Sequence, residues 1–326
     1  MSTANRVFCV KLVTAIICAA SLPAYAATSF PVKPITIVVP YTAGGSSDVV
    51  ARLLEKPLSE KMGQPVIILN RPGAGATIGT NYVAKAPADG YTVLLADNAQ
   101  TTAPSMYSNL QYDAIDDFQP IGMIGSAPAI LLSSEQSKLH GIRDLLSGKE
   151  KNSEGFTAGV GAGSPSYLIT GLFQVKSGIK LRMIPYKGAS QAATDLLGSQ
   201  IELLFTNPAS AASYLKSGRI NAIGIAGASR HPTLPDVPTF KEQGIDGLDN
   251  TNYWFALLAP AQLPEDIAQK WKSAFTSALS SSEVIQKLAE LGISKSEIAP
   301  NQVAKFIADD RQNWANIVKE AGMKLQ

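Results

Sequence analysis

Two stretches of this chain share one design, and the repetition limits what it can fold into more than any other feature. Ile35 to Val39 are all β-branched, are flanked by Pro34 and Pro40, and run into Tyr41-Thr42-Ala43-Gly44-Gly45-Ser46-Ser47-Asp48. Such a run suits a strand buried on both faces of a parallel sheet. Val49, Val50, Leu53, Leu54 and Leu58 then recur at helical spacing, with Ser46 or Ser47 as N-cap and Asp48 in the first turn. Phe156 to Tyr167 repeats the device: a short strand, the loop Gly161-Ala162-Gly163-Ser164, and a helix with Ser164 and Pro165 at its start. The two stretches predict strand, loop and helix twice over.

Glycines in a strand-to-helix loop remove the Cβ atoms that would hold a ligand off the backbone. The free N–H groups of the first helical turn can then point at an anion. An isolated Gly44-Gly45 is most simply a tight turn. Repetition favours a carboxylate or phosphate held between two such loops, with Tyr41, Ala43, Gly44, Gly45 and Ser46 on one side and Gly161, Ala162, Gly163 and Ser164 on the other.

The flanking segments build a β-α-β-α-β order around each loop. Pro65 to Leu69 and Tyr91 to Ala96 read as strands in the first half; Lys180 to Pro185, Ile201 to Phe205 and Ile220 to Ala226 do so in the second. Pro57 predicts a kink or break in the first helix. Ligands collect at the C-terminal ends of strands in open α/β sheets. That rule makes Asn98 and Thr101 candidates after the third strand, and Tyr186, Lys187 and Asn207 in the second half. The glycines at 73, 75 and 79 lack the G-x-G-x-x-G spacing, and no acidic residue lies about twenty positions on, so no dinucleotide cofactor is expected.

An apolar stretch interrupted by Pro128 and a second one from Tyr253 to Ala259 read as crossings between two α/β lobes. The expected division is 27–125 with 255–326 as one lobe and 126–254 as the other. Helices over 264–279, 282–291 and 303–318 are expected to pack on the first lobe, with Trp271 and Trp314 in the core. Tyr41, Tyr167, Tyr186 and Trp254 lie in or beside loops or crossings that face the cleft, and are candidate ligand contacts.

The first 26 residues carry Arg6 and Lys11, no acidic residue, an apolar segment from Leu12 to Ala20 and the small-x-small site Ala24-Tyr25-Ala26. They read as a cleavable signal peptide and predict export to the periplasm. Cleavage removes both cysteines, Cys9 and Cys18, and leaves 26 basic residues against 26 acidic ones. A formal charge near zero argues for neither a nucleic-acid nor an anionic-membrane partner. About 300 residues without disulfides can bury one large core or two modest ones.

Catalytic constellations are missing from the sequence. After cleavage there is no cysteine and only His140 and His231 remain, too little for a metal site or a histidine-based triad. No nucleophile elbow, zinc motif or phosphate loop occurs. Asp116-Asp117 and Asp309-Asp310 are adjacent in sequence and read as surface rather than as acid/base pairs. No enzyme and no cofactor is expected; the rival readings are a hydrolase or lyase with an unrecognised site, and a sensory adaptor that presents a loaded ligand.

With the loops in view, the chain resembles the Bug (Bordetella uptake gene) solute-binding proteins, receptors of tripartite tricarboxylate transporters. The resemblance rests on Pro40 to Asp48, Asn70-Arg71-Pro72-Gly73-Ala74-Gly75, Gly161 to Ser164, Pro185-Tyr186-Lys187-Gly188 and Leu234-Pro235-Asp236-Val237-Pro238-Thr239, in that order. It implies a type II periplasmic-binding fold whose two lobes, joined by two crossing strands, close on a carboxylated solute. It also implies that Tyr41 to Ser46 and Gly161 to Ser164 hold one carboxylate through backbone N–H groups and bridging waters. A histidine usual soon after the Gly-Ser of the second loop is replaced here by Tyr167. The implied partners are a small carboxylate and the membrane subunits of such a transporter, with the receptor a monomer.

Overall fold

Apolar runs become the strands of two separate sheets, of which Ile35–Val39 alone is β-branched throughout among the described strands. The computed structural model describes residues 30–149, 152–161, 164–186, 188–249 and 251–323. The signal-peptide segment and the candidates Ala162, Gly163 and Lys187 lie outside the described residues.

In the first half, β1 (Ile35–Val39), α1 (Ser46–Met62), β2 (Val66–Asn70), α2 (Thr77–Ala84), β3 (Thr92–Asp97) and α3 (Ala99–Met106) lead into β4 (Phe118–Ala127). After Pro128 the chain enters the second sheet with β5 (Ala129–Ser134) and α4 (Ile142–Gly148). There follow β6 (Phe156–Gly161), α5 (Pro165–Ser177), β7 (Leu181–Tyr186), α6 (Ala189–Leu197), β8 (Leu203–Thr206), α7 (Pro208–Leu215) and β9 (Ile220–Ala226). The chain returns through β10 (Tyr253–Pro260), α8 (Glu265–Leu279), α9 (Ser282–Glu290), β11 (Ser294–Lys295) and α10 (Val303–Glu320).

The first sheet has the order β11-β4-β10-β3-β1-β2 and the second β7-β6-β8-β5-β9. Each contains a parallel trio, β2-β1-β3 and β7-β6-β8, edged by one antiparallel strand, β10 or β5. In both trios the first strand lies in the middle, so the direction of winding reverses beside it. The crevice outside the C-terminal ends at such a reversal is where open α/β sheets place their ligands.

Ile35, Ile37, Val38 and Val39 are fully buried, as a strand covered on both faces requires. α1 closes over the first sheet with Val50, Ala51, Leu54 and Leu58 in one core cluster. Pro57 does not break it: the helix runs on to Met62, because Leu54 and Leu58 on either side of the proline are both held in the core.

The C-terminal helices divide differently from expectation. Trp271 and Leu288 place α8 and α9 on the first sheet. α10 straddles both: Val303 and Ile307 belong to a cluster of the first sheet, whereas Trp314 and Ile317 belong to the core of the second. Its length of 18 residues, about 27 Å at helical rise, lets one apolar stripe reach both cores. Asp310 lies between these two halves and turns inward, accepting bonds from Thr101 Oγ1 at 2.6 Å and Trp254 Nε1 at 2.8 Å. Its neighbour Asp309 is at the surface beside Lys305, so the adjacent carboxylates have opposite fates. No helix among the described residues is long and apolar enough to cross a membrane.

Candidate functional site

The loops that leave β1, β2 and β3 face those that leave β6, β7 and β8 across a cavity of about 720 Å³. Five helix starts reach its wall. α1 contributes Gly45, Ser46 and Ser47; Ala76 precedes α2; Ser164 and Ser166 begin α5; Gly188 and Ser190 begin α6; and Asn207 and Ser210 begin α7. First-turn N–H groups of a helix have no carbonyl of their own, and the helix dipole adds partial positive charge there. Among the described residues the lining contains no lysine, arginine or histidine, and its one charged side chain is Asp97. Among the described residues, hydroxyls and backbone N–H groups are what the wall offers an anion.

The β1 loop is held by a carboxylate. Gly44 takes a φ of +83°, open to glycine at little cost, and its N–H donates to Asp48 Oδ2 at 2.9 Å. Arg52 Nε donates to the same oxygen at 2.9 Å, and Asn70 Nδ2 to Asp48 Oδ1 at 2.9 Å. Asn70 Nδ2 also reaches the Tyr41 carbonyl at 3.1 Å, which ties the first two loops of this sheet together. Burial pushes the Asp48 carboxyl up, but the bonds from Arg52, Gly44 and Asn70 together outweigh it and hold the group below its ordinary range.

The β6 loop is held by hydroxyls. Gly161 N–H donates to Ser166 Oγ at 3.0 Å, and the Ser164 and Ser166 hydroxyls are bonded to each other at 2.9 Å. Beside them Tyr186 donates to Asp195 Oδ2 at 2.7 Å, and burial together with that bond pushes its phenol up to about 12.

Asp97 ends β3 on the cavity wall and is 7% exposed. Tyr41 donates to its Oδ1 at 3.0 Å, the Ala99 N–H to the same oxygen at 2.9 Å, and Ser47 to Oδ2 at 3.0 Å. Burial raises its pKa, and these three donors offset only part of that rise. Burial and then the neighbouring Asp97 push the Tyr41 phenol well up as well. At neutral pH the tyrosine is a neutral donor, fixed in place.

Of the residues singled out from sequence, Tyr41, Gly45, Ser46, Gly161, Ser164, Tyr186 and Asn207 line the cavity. Gly44 lines only a small recess behind it, Ala43 is exposed, and Tyr167 packs against the second core. Asn98, Thr101 and Trp254 are at most 1% exposed and do not reach the wall. Asn98 Nδ2 donates to the Asn252 carbonyl and its Oδ1 accepts from Trp254 N–H, both at 3.0 Å, so it fastens the returning chain. Thr101 and Trp254 both donate to Asp310. Their polarity serves the seam between α10 and the first sheet.

Thr42, inside the stretch Tyr41 to Ser46, lines the cavity as well, and so do Asp97, Pro72 to Ala76, Tyr107, Ser166, Thr206 and Tyr253, none of which was singled out as a site residue from sequence. Asp97 and Thr206 head the strand-end loops from which Asn98, Thr101 and Asn207 were chosen instead. Tyr107 and Tyr253 enter from an α3 terminus and from the start of β10, with no local signal.

Two α/β sheets with their strand ends facing across a cavity, linked by the Pro128 passage and the return into β10, define the class of two-lobed solute-binding receptors. Residues 50–323 match the family described as "Tripartite tricarboxylate transporter family receptor", and the chain belongs to that family. It is 36% identical over 303 residues to protein BugT of Bordetella pertussis, a match covering 92% of this chain and 93% of that one. The structure of the periplasmic binding protein BugD superposes with a TM-score of 0.87 at 31% identity, covering 91% of this chain and all of BugD. A Rhodopseudomonas palustris protein solved with adipate is equally similar, at a TM-score of 0.87 and 31% identity over 91% of this chain and 100% of that one. MatC from the same organism, with bound malate, gives 0.84 at 30% identity over 89% of this chain and 100% of MatC. The family is one of receptors, not enzymes, and BugD among these neighbours is a periplasmic binding protein.

Proposed function

We propose that this protein is exported to the periplasm, captures a carboxylate in the cavity between its sheets, and delivers it as a monomer to the membrane subunits of a tripartite tricarboxylate transporter. The observation that carries the reading is the convergence of five helix starts on a cavity whose described wall has no basic side chain. Charge-assisted bonds to backbone N–H groups contribute about 1.5–3 kcal/mol each. A micromolar receptor needs about −8 kcal/mol net, so a few such bonds suffice without arginine. Adipate and malate in related proteins support a carboxylate. Tyr41, Tyr107, Tyr186, Tyr253 and Phe205 give the wall more flat surface than a short aliphatic acid covers, which favours an aromatic mono- or dicarboxylate.

The lobes of this reading are 27–125 with 255–326, and 126–254, rotating about the passage at Pro128 and the return into β10. α10 bridges both cores and limits how far they part. A thermal-shift screen of aliphatic and aromatic mono- and dicarboxylates tests the function. A ligand at 100 times its Kd stabilises by about 2.7 kcal/mol, and no response across the panel sinks the reading. Small-angle scattering with and without a saturating hit should show a smaller radius of gyration with ligand.

A further inference from the structure

Asp97 is a carboxylate in the wall of a cavity read here as a carboxylate site, and the described residues leave it without a basic partner. An ionised carboxylate offers about four acceptor positions over its two oxygens. Among the described residues, Oδ1 takes two donors, Tyr41 and Ala99 N–H, and Oδ2 takes only Ser47. The Ala99 N–H can only donate, so Oδ1 is an acceptor. One position on Oδ2 remains on a side chain that is otherwise buried. Leaving a buried acceptor open is costly, and a buried charge more so. A purely structural buttress for Tyr41 and Ser47 would not need to reach the wall.

We propose that Asp97 Oδ2 is a specificity determinant, accepting a hydrogen bond from an ammonium or hydroxyl group that the ligand carries close to its bound carboxylate. This rests on the carboxylate reading of the cavity and narrows it. The spacing follows from Ser47, which belongs to the first turn of α1 and whose hydroxyl is 3.0 Å from Oδ2. A ligand carboxylate at the α1 N–H groups therefore has Asp97 about one side-chain length away. A donor one or two bonds from the carboxylate, as in α-amino and α-hydroxy acids, fits between them. A second carboxylate placed there would meet Asp97 as a like charge.

Calorimetric titration of two matched sets tests this: aspartate, malate and succinate; phenylalanine, 3-phenyllactate and 3-phenylpropionate. In at least one set the donor-bearing acids should bind at least about tenfold tighter than the plain acid, because a site built to bond a donor rejects the analogue lacking it. Asp97→Asn keeps the shape but turns an amide N–H₂ toward either Ser47 or the ligand. It should bring the preference to within about threefold by weakening the donor-bearing acids relative to the plain one. Preference for the ammonium over the hydroxyl member would show that Asp97 also balances charge. Equal binding of plain and donor-bearing acids by the wild type overturns the inference, and that comparison needs no variant. So does an Asp97→Asn variant that weakens all members of a set alike, the mark of a buttress. Binding by no member of either set overturns the carboxylate reading, and this inference with it.

Discussion

The β1 loop and the β6 loop present the same kind of surface to the cavity, a helix start behind a glycine turn, yet they are held by different chemistry. The first is latched by the buried Asp48 carboxylate, which gathers Gly44 N–H, Arg52 and Asn70. The second is latched by the Ser164 and Ser166 hydroxyls, with no ion pair at the turn among the described residues. A carboxylate with three donors fixes its loop strongly but depends on its charge. A pair of hydroxyls fixes a loop more weakly and at any ordinary pH. The comparison teaches that one anion-binding geometry can be built with unequal rigidity on its two sides.

The largest effect is expected where the shared geometry is blocked. Gly45 has a φ of −79°, a conformation open to any residue, and an added Cβ would meet nothing nearer than the Thr42 carbonyl at 3.7 Å. Gly45→Val should therefore fold with its cooperative transition intact while losing affinity by about a hundredfold or more, because the branched side chain occupies the approach to the α1 N–H groups. Calorimetric titration beside thermal unfolding checks both halves. Normal affinity in the folded variant would remove this loop from the site.

Asp48→Ala comes next. Removing one buried carboxylate strands three donors, so the unliganded fold should lose about 2 kcal/mol, discounted because half of Arg52 is in solvent. Chemical denaturation measures it, and a loss no larger than for an exposed aspartate such as Asp309 would break the latch comparison. Ser166→Ala in the other loop removes neutral hydrogen bonds and should cost about 1 kcal/mol by the same measurement. A larger cost than Asp48→Ala would reverse the ranking of the two loops.

Acid should separate the loops by a smaller margin. Asp48 is held below its ordinary pKa in the folded protein, so its contribution is fully present above the unfolded value and is lost as pH falls through the folded one. The stability gap between wild type and Asp48→Ala should shrink as pH is taken from about 5 to below about 3, whereas the Ser166→Ala gap should stay flat. Parallel titration of both gaps would show that the first loop owes nothing to charge.

Much of the architecture was written locally. Ile35 to Val39, the glycine turns and the apolar helix spacings each state their own structure within a dozen residues, and Gly45, Ser46 and Ser164 follow from that grammar. The apolar crossings at Pro128 and Tyr253 to Ala259, together with the family resemblance, join those pieces into two lobes. Pairing between remote segments is another matter, because a polar residue looks the same in sequence whether it meets solvent, ligand or another segment. Asn98 is spent on Asn252 and Trp254, and Thr101 on Asp310 at a separation of 209 positions. Asp309 and Asp310 are neighbours in sequence, and only the packing of α10 across both cores sends one to solvent and the other inward. Asp97 is the same case at the cavity: its place at a strand's end was visible, but its donors Tyr41 and Ser47 come from 56 and 50 positions away. By itself the sequence determined the strands, the helix starts and the two-fold repetition, since these depend on neighbours along the chain. The tertiary structure alone decided which polar groups bond each other and which remain open to a ligand, because that depends on distances the folded chain creates.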